Sequence, residues 1–156
     1  MVAVRWHKKG KKVSASALEN QKIKLFSKDM SPDGIFFGGR LLQTVDGFAR
    51  VVANNHAEMN CKPLGIDFVR FFSPVKMGDI LTCSASVNRT WESIMEVGVK
   101  VVAEDFRLLE KKKILSAYFT YSVQEDVGVA FIIPETKEDE KRYFAAEKRR
   151  QYRNKY

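Results

Sequence analysis

Gly38-Gly39-Arg40-Leu41-Leu42-Gln43-Thr44-Val45-Asp46-Gly47-Phe48-Ala49-Arg50-Val51-Val52-Ala53-Asn54-Asn55-His56 is the stretch on which the fold turns. Its apolar residues Leu41, Leu42, Val45, Phe48, Ala49, Val52 and Ala53 recur at helical spacing and trace a single stripe. At 100° per residue the stripe is about 140° wide, and Asp46 falls about 20° past its edge. Asp46 is therefore neither a core residue nor a plainly solvated one.

The start of this helix carries chemistry. Backbone N–H groups in a first helical turn lack intrahelical partners and stabilise negative charge developing on a carbonyl oxygen. Gly38 and Gly39 leave that end open to an approaching group. Asp46 supplies a carboxylate able to activate water or to attack directly. Together they point to acyl transfer, such as hydrolysis of an ester or thioester. A second reading of Asp46 is a surface acid paired with Arg50, four residues on.

Upstream, Ser31-Pro32-Asp33-Gly34 marks a turn, and Lys22 to Ser27 is a short strand candidate. Downstream the period changes to two. Leu64 to Phe72 is rich in strand formers. In Ile80 to Val87, the residues Leu81, Cys83, Ala85 and Val87 share a face. In Ile94 to Ala103, Met95, Val97, Val99 and Val101 do so. In Ile114 to Val123, Leu115, Ala117, Phe119, Tyr121 and Val123 do so. Gly78-Asp79 and Glu104 to Lys113 read as turns. Val129 to Ile133 adds a last short strand before Pro134, and a charged helix, largely exposed, follows from Glu135. The fold class is α+β: a curved antiparallel sheet wrapped around a long central helix, the hotdog arrangement.

A chain of 156 residues with 45% hydrophobic and 29% charged residues suits one domain with a real core. The net charge is +8, unevenly placed: +6 over residues 1–30, +3 over 135–156 and −1 between them. A nucleic-acid reader would carry its basic stripe on the folded body, so the charge argues against that class. The expected division is a basic arm over 1–20, a hotdog domain over 21–134 and a charged helix over 135–156. No apolar run is long enough for a membrane span, and no secretory signal stands at the N-terminus. Cys61 and Cys83 lack metal-ligand or disulfide spacing and read as buried small hydrophobes, in keeping with a reducing cytoplasm. His56 reads as a cation closing the helix, and His7 as a solvated member of the arm.

An ordered set of motifs carries a resemblance. It comprises Gly34 with Phe37-Gly38-Gly39, Leu41-Leu42 and Asp46, then Asp67 to Phe71 with Pro74-Val75-Lys76-Met77-Gly78-Asp79. Ser93 to Val97, Val101 to Asp105, Ala117 to Tyr121, Pro134-Glu135-Thr136 and Glu147 to Arg150 complete it. Over roughly residues 21–150 the chain resembles the bacterial hotdog-fold acyl-CoA thioesterases, which are related to cytosolic long-chain acyl-CoA hydrolases.

The resemblance implies hydrolysis of acyl-CoA to fatty acid and coenzyme A, with no cofactor beyond the coenzyme A of the substrate. It implies Gly39, with Gly38, as oxyanion donor, Asp46 as base or nucleophile, and Ser31 at the position of an asparagine that orients water or the carbonyl. Phe37, Asp33, Arg89 and Ser93 are candidates for substrate binding. The chain departs from the family at Ser31 and at Trp91-Glu92, where a glycine and a basic residue are usual. Gly39 and Asp46 stand about 10 Å apart along one helix axis, too far to serve one carbonyl. The site is therefore expected to be shared across a homodimer, and such dimers often assemble in threes. Two rivals stand beside this reading. One is a non-catalytic acyl-CoA-binding regulator. The other is a nucleic-acid binder acting through its basic ends, revealed by salt-dependent retention of duplexes.

Overall fold

The structure, a computed structural model, describes residues 9–105 and 107–155. The strands are β1 Lys11–Lys12, β2 Leu18–Ile23, β3 Lys62–Phe71, β4 Ile80–Trp91, β5 Ile94–Asp105, β6 Glu110–Ser122 and β7 Ile132–Ile133. The helices are α1 Gly38–Ala57 and α2 Lys137–Arg153. Five strands form one antiparallel sheet in the order β2-β4-β5-β6-β3.

The expected central helix is α1. Its buried stripe is Leu41, Val45, Ala49, Val52, Ala53, His56 and Ala57, with Leu42 and Phe48 packed at its flanks. The helix stops at Glu58, whose backbone takes the left-handed conformation (φ 57°). The inner sheet face is built from the alternating residues of β4, β5 and β6, all 4% exposed or less. Many of them are Val, Ala and Cys, which lets α1 approach the sheet. Burial pushes the Cys83 thiol up to about 12. Neither cysteine forms a disulfide.

α2 closes the outer face. Thr136 and Asp139 form a reciprocal capping box at its start. The helix was expected to be largely exposed, but its basic side is tied down. Period two on β5 turns Met95 and Val97 inward and Glu96 outward. Glu96 is 0% exposed and accepts from Asn88 Nδ2 (2.9 Å), Arg149 Nη2 (2.7 Å) and Arg153 Nη2 (2.7 Å). Arg153 also pairs with Asp67 of β3. Arg149 and Arg153 stand one helical turn apart, so both reach the same carboxylate.

Several boundaries differ from the sequence reading. The first strand of the main sheet, β2, runs over 18–23 rather than 22–27, because Ile23 already faces inward opposite Leu81 and the chain then turns through Ser27–Asp29. β7 does not join the main sheet; it pairs parallel with β1. The expected turn over 104–113 is shorter, since Ala103, Glu104 and Asp105 pair with Lys112, Lys111 and Glu110. His56 is buried, with Nε2 2.6 Å from the Ala130 carbonyl. Lys11 also stands at the C-terminal end of α1, its Nζ donating to the Asn55 (2.9 Å) and His56 (3.2 Å) carbonyls.

Part of the expected arm is thus woven into the fold. Val13 and Ser16 are buried, and the Ser14 amide donates to Glu135. His7 and Lys8 lie outside the described residues. Removing residues 1–15 is expected to lower stability by about 2 kcal/mol or more, from lost Val13 burial and the lost Lys11 cap. Thermal melts against a chain lacking only residues 1–8 check this; equal midpoints would contradict it.

Candidate active site

The loop before α1 is shaped by Ser31. Its Oγ accepts from the Ile35 amide (3.3 Å), its own amide donates to the Ile35 carbonyl (2.7 Å), and its carbonyl accepts from Gly34 (2.9 Å). Gly34 has φ +78°, which requires glycine in practice. Phe37 then precedes the helix in extended conformation, half exposed, and offers no side-chain cap. α1 has no acidic residue in its first turn. The first intrahelical bond is Leu41 N–H to the Phe37 carbonyl (3.1 Å), so the amides of Gly38, Gly39 and Arg40 precede the ladder.

The two glycines differ. A Cβ on Gly38 would stand 2.9 Å from the Phe71 ring, so glycine permits close approach of the end of β3. A Cβ on Gly39 would meet nothing within 4 Å, and that residue faces open space. Two turns on, Asp46 is half-buried beside the stripe, as its position on the helical wheel predicts. Among the described residues it forms no ion pair with Arg50. The phenol of Tyr121, on the inner side of β6, lies near enough to Asp46 for the carboxylate to push it up.

Ser31, Asp33, Phe37, Gly38, Gly39 and Asp46 thus belong to α1 and the loop that leads into it. Arg89 does not join them. It stacks on Tyr143 of α2 (4.0 Å to the ring centroid) and pairs with Glu147 (3.8 Å), beneath the helix on the outer face. Trp91 is held there too, its indole donating to Glu147 (2.7 Å). Ser93 lies in the β4–β5 turn, its carbonyl accepting from Val123 (2.9 Å). A recess of about 510 Å³ opens on the outer face between residues 13–20 and α2, and no α1 residue lines it. The groups with acyl-transfer chemistry sit elsewhere, by α1 and the edge of the sheet.

That edge is β3, hydrogen-bonded on one side only, to β6. It exposes Leu64, Ile66, Phe68 and Phe71, between 43% and 52% each. An apolar, unpaired edge is a template for another strand. Because Phe71 lies against Gly38, that edge reaches the start of α1. Tyr121 was legible only as a core residue. The available signal was a polar-tipped ring among inward-facing apolar positions.

The sequence is 32% identical over 124 residues to protein VdlD of Helicobacter pylori, an alignment covering 78% of this chain and 71% of that protein. The fold superposes on an acyl-CoA hydrolase from Staphylococcus aureus, solved with butyryl coenzyme A, at a TM-score of 0.84 and 28% identity, covering 92% and 90% of the two chains. It superposes on an apo-hexameric acyl-CoA thioesterase at a TM-score of 0.87 and 28% identity, covering 94% and 96%. Fold and likeness together define a class, the hotdog thioester hydrolases. The chain belongs to the Thioesterase superfamily, whose family model matches residues 33–110. Among the described residues no helix is long and apolar enough to cross a membrane.

Proposed function

We propose that the protein hydrolyses acyl-CoA to a carboxylic acid and coenzyme A, at sites each shared by two subunits. The observation that carries this is the placement of an uncapped helix start and a half-buried carboxylate about 10 Å apart on one straight helix. One carbonyl cannot meet both groups of the same helix. Two chains joined at β3 can supply one group each.

In the shared site, the amide of Gly39 donates to the thioester oxygen and the dipole of α1 supports it. Asp46 of the other chain takes a proton from water as the water oxygen bonds to the carbonyl carbon. The tetrahedral oxyanion rests on the Gly39 amide. The carbon–sulfur bond then breaks, and the thiolate of coenzyme A takes up the proton. With Asp46 as nucleophile instead, its oxygen forms the new bond and water cleaves the resulting anhydride.

Further structures of the S. aureus hydrolase carry substitutions at an asparagine, an aspartate and a threonine. Counted at the same separations in sequence, this chain has Ser31, Asp46 and Pro63. The retained aspartate supports Asp46 as the reacting group. The loss of the other two favours a second reading, an acyl-CoA-binding module without turnover. Thiol release from butyryl-CoA and longer acyl-CoAs separates the two: sustained release supports hydrolysis, and binding without release supports the module. Cysteines kept as thiols suit a reducing cytosol.

The assembly follows from the same edge. Sedimentation at micromolar concentration is expected to give a dimer or a multiple of it, such as the hexameric state of the solved neighbour. A stable, active monomer would contradict the shared site.

A further inference from the structure

Tyr121 is 0% exposed on the inner face of β6, in register with Pro63 of β3 and Met95 of β5. Its hydroxyl has no hydrogen-bond partner among the described residues. A buried hydroxyl left without a partner costs about 1–3 kcal/mol. Phenylalanine would fill the same space without that cost, as Phe119 does two residues earlier on the same face.

The groups that face this hydroxyl are few. Asp46 and Arg50 approach from α1, and Cys61 from the segment before β3. Burial raises the phenol well above its ordinary value of 10, and the Asp46 carboxylate raises it further. At neutral pH the phenol keeps its proton and can donate it. Catalytic hydrogen bonds are commonly long before substrate binds and tighten in the substrate complex. The position opposite Tyr121 is Pro63, which has no hydroxyl.

We infer that Tyr121 is the positioning residue of Asp46: its hydroxyl donates to the Asp46 carboxylate in the closed site and fixes which oxygen faces the water. The inference rests on the reading of Asp46 as catalytic. No proton or bond is exchanged through Tyr121. The proton from water goes to Asp46, and the phenol keeps its own.

Tyr121→Phe in the full-length chain tests this with butyryl-CoA as the probe. Turnover should fall about tenfold, as expected for a misplaced reacting group. The Michaelis constant should stay within about twofold, because the phenol touches Asp46 rather than substrate. The thermal midpoint should hold or rise, since an unpartnered hydroxyl is removed. Added to Asp46→Asn, the same change should cost nothing further, because it acts through that carboxylate. A fully additive loss, or a loss explained by a lower midpoint, would overturn the inference. So would normal turnover by Tyr121→Phe beside an inactive Asp46→Asn. Normal turnover by Asp46→Asn itself would remove the reading of Asp46, and this inference with it.

Discussion

Asp46→Asn is expected to cut turnover by about a hundredfold or more, the usual effect of removing a positioned proton-transfer group. Asparagine is nearly isosteric, and Asp46 makes no ion pair among the described residues, so folding and assembly should survive. Arg50→Ala is the control. If Asp46 served only as a surface charge beside Arg50, both substitutions would leave turnover intact and shift stability by at most about 0.5 kcal/mol. Steady-state hydrolysis and thermal midpoints for the two variants, side by side, separate these outcomes.

The second large effect concerns stability. Glu96→Ala should destabilise the protein by about 3 kcal/mol, because it strands the partly buried Arg149 guanidinium and leaves Arg153 with Asp67 alone. For a chain of this size that lowers the midpoint by about 10 °C. The effect has a defined pH window. Burial alone would push the Glu96 carboxyl up, but hydrogen bonds from Arg149 and Asn88 and the charge of Arg149 hold it below its ordinary value of 4.5. A carboxyl depressed on folding contributes fully above its unfolded value, and that contribution fades as pH falls through the folded one. The gap between wild type and Glu96→Ala should therefore be constant near neutrality and narrow below pH 4.5. A gap that widened in acid would contradict the assignment.

The central helix and the inner sheet face were legible because burial imposes a period on sequence. Leu41 to Ala53 could only be one helical stripe. Leu81, Cys83, Ala85 and Val87 could only be one side of a strand. The ends of the chain were less legible because their order comes from distant partners. Lys11 pairs with Ile132 and caps α1 from about forty residues away in sequence, and nothing in the run Lys8 to Lys12 announces either contact. The burial of Glu96 was not legible, since it depends on Arg149 and Arg153 arriving on a helix more than fifty residues later. Arg89 reads in sequence as a candidate for substrate binding, and its place against Tyr143 and Glu147 depends on a helix that arrives about fifty residues later.

The candidate site divides in the same way. Asp46 and the glycines were visible because helix geometry places them. The nearness of Tyr121 to Asp46 was not, because α1 and β6 meet only in the folded chain. The proposed sharing of the site rests on one length along α1 and on the apolar edge of β3.

Complementation between two inactive chains tests the shared site most directly. Gly39→Pro removes the amide in the first turn, where proline is tolerated best, and should lower turnover about 10²–10³-fold. Asp46→Asn removes the carboxylate. Co-expressed under two tags, the variants form a mixed dimer in which one site joins the intact Gly39 of one chain to the intact Asp46 of the other. Purified mixed dimers should recover about half of wild-type turnover from that single site, as two-fold symmetry requires. Mixed dimers as inactive as either parent would show that each chain builds its site alone, and would contradict the account.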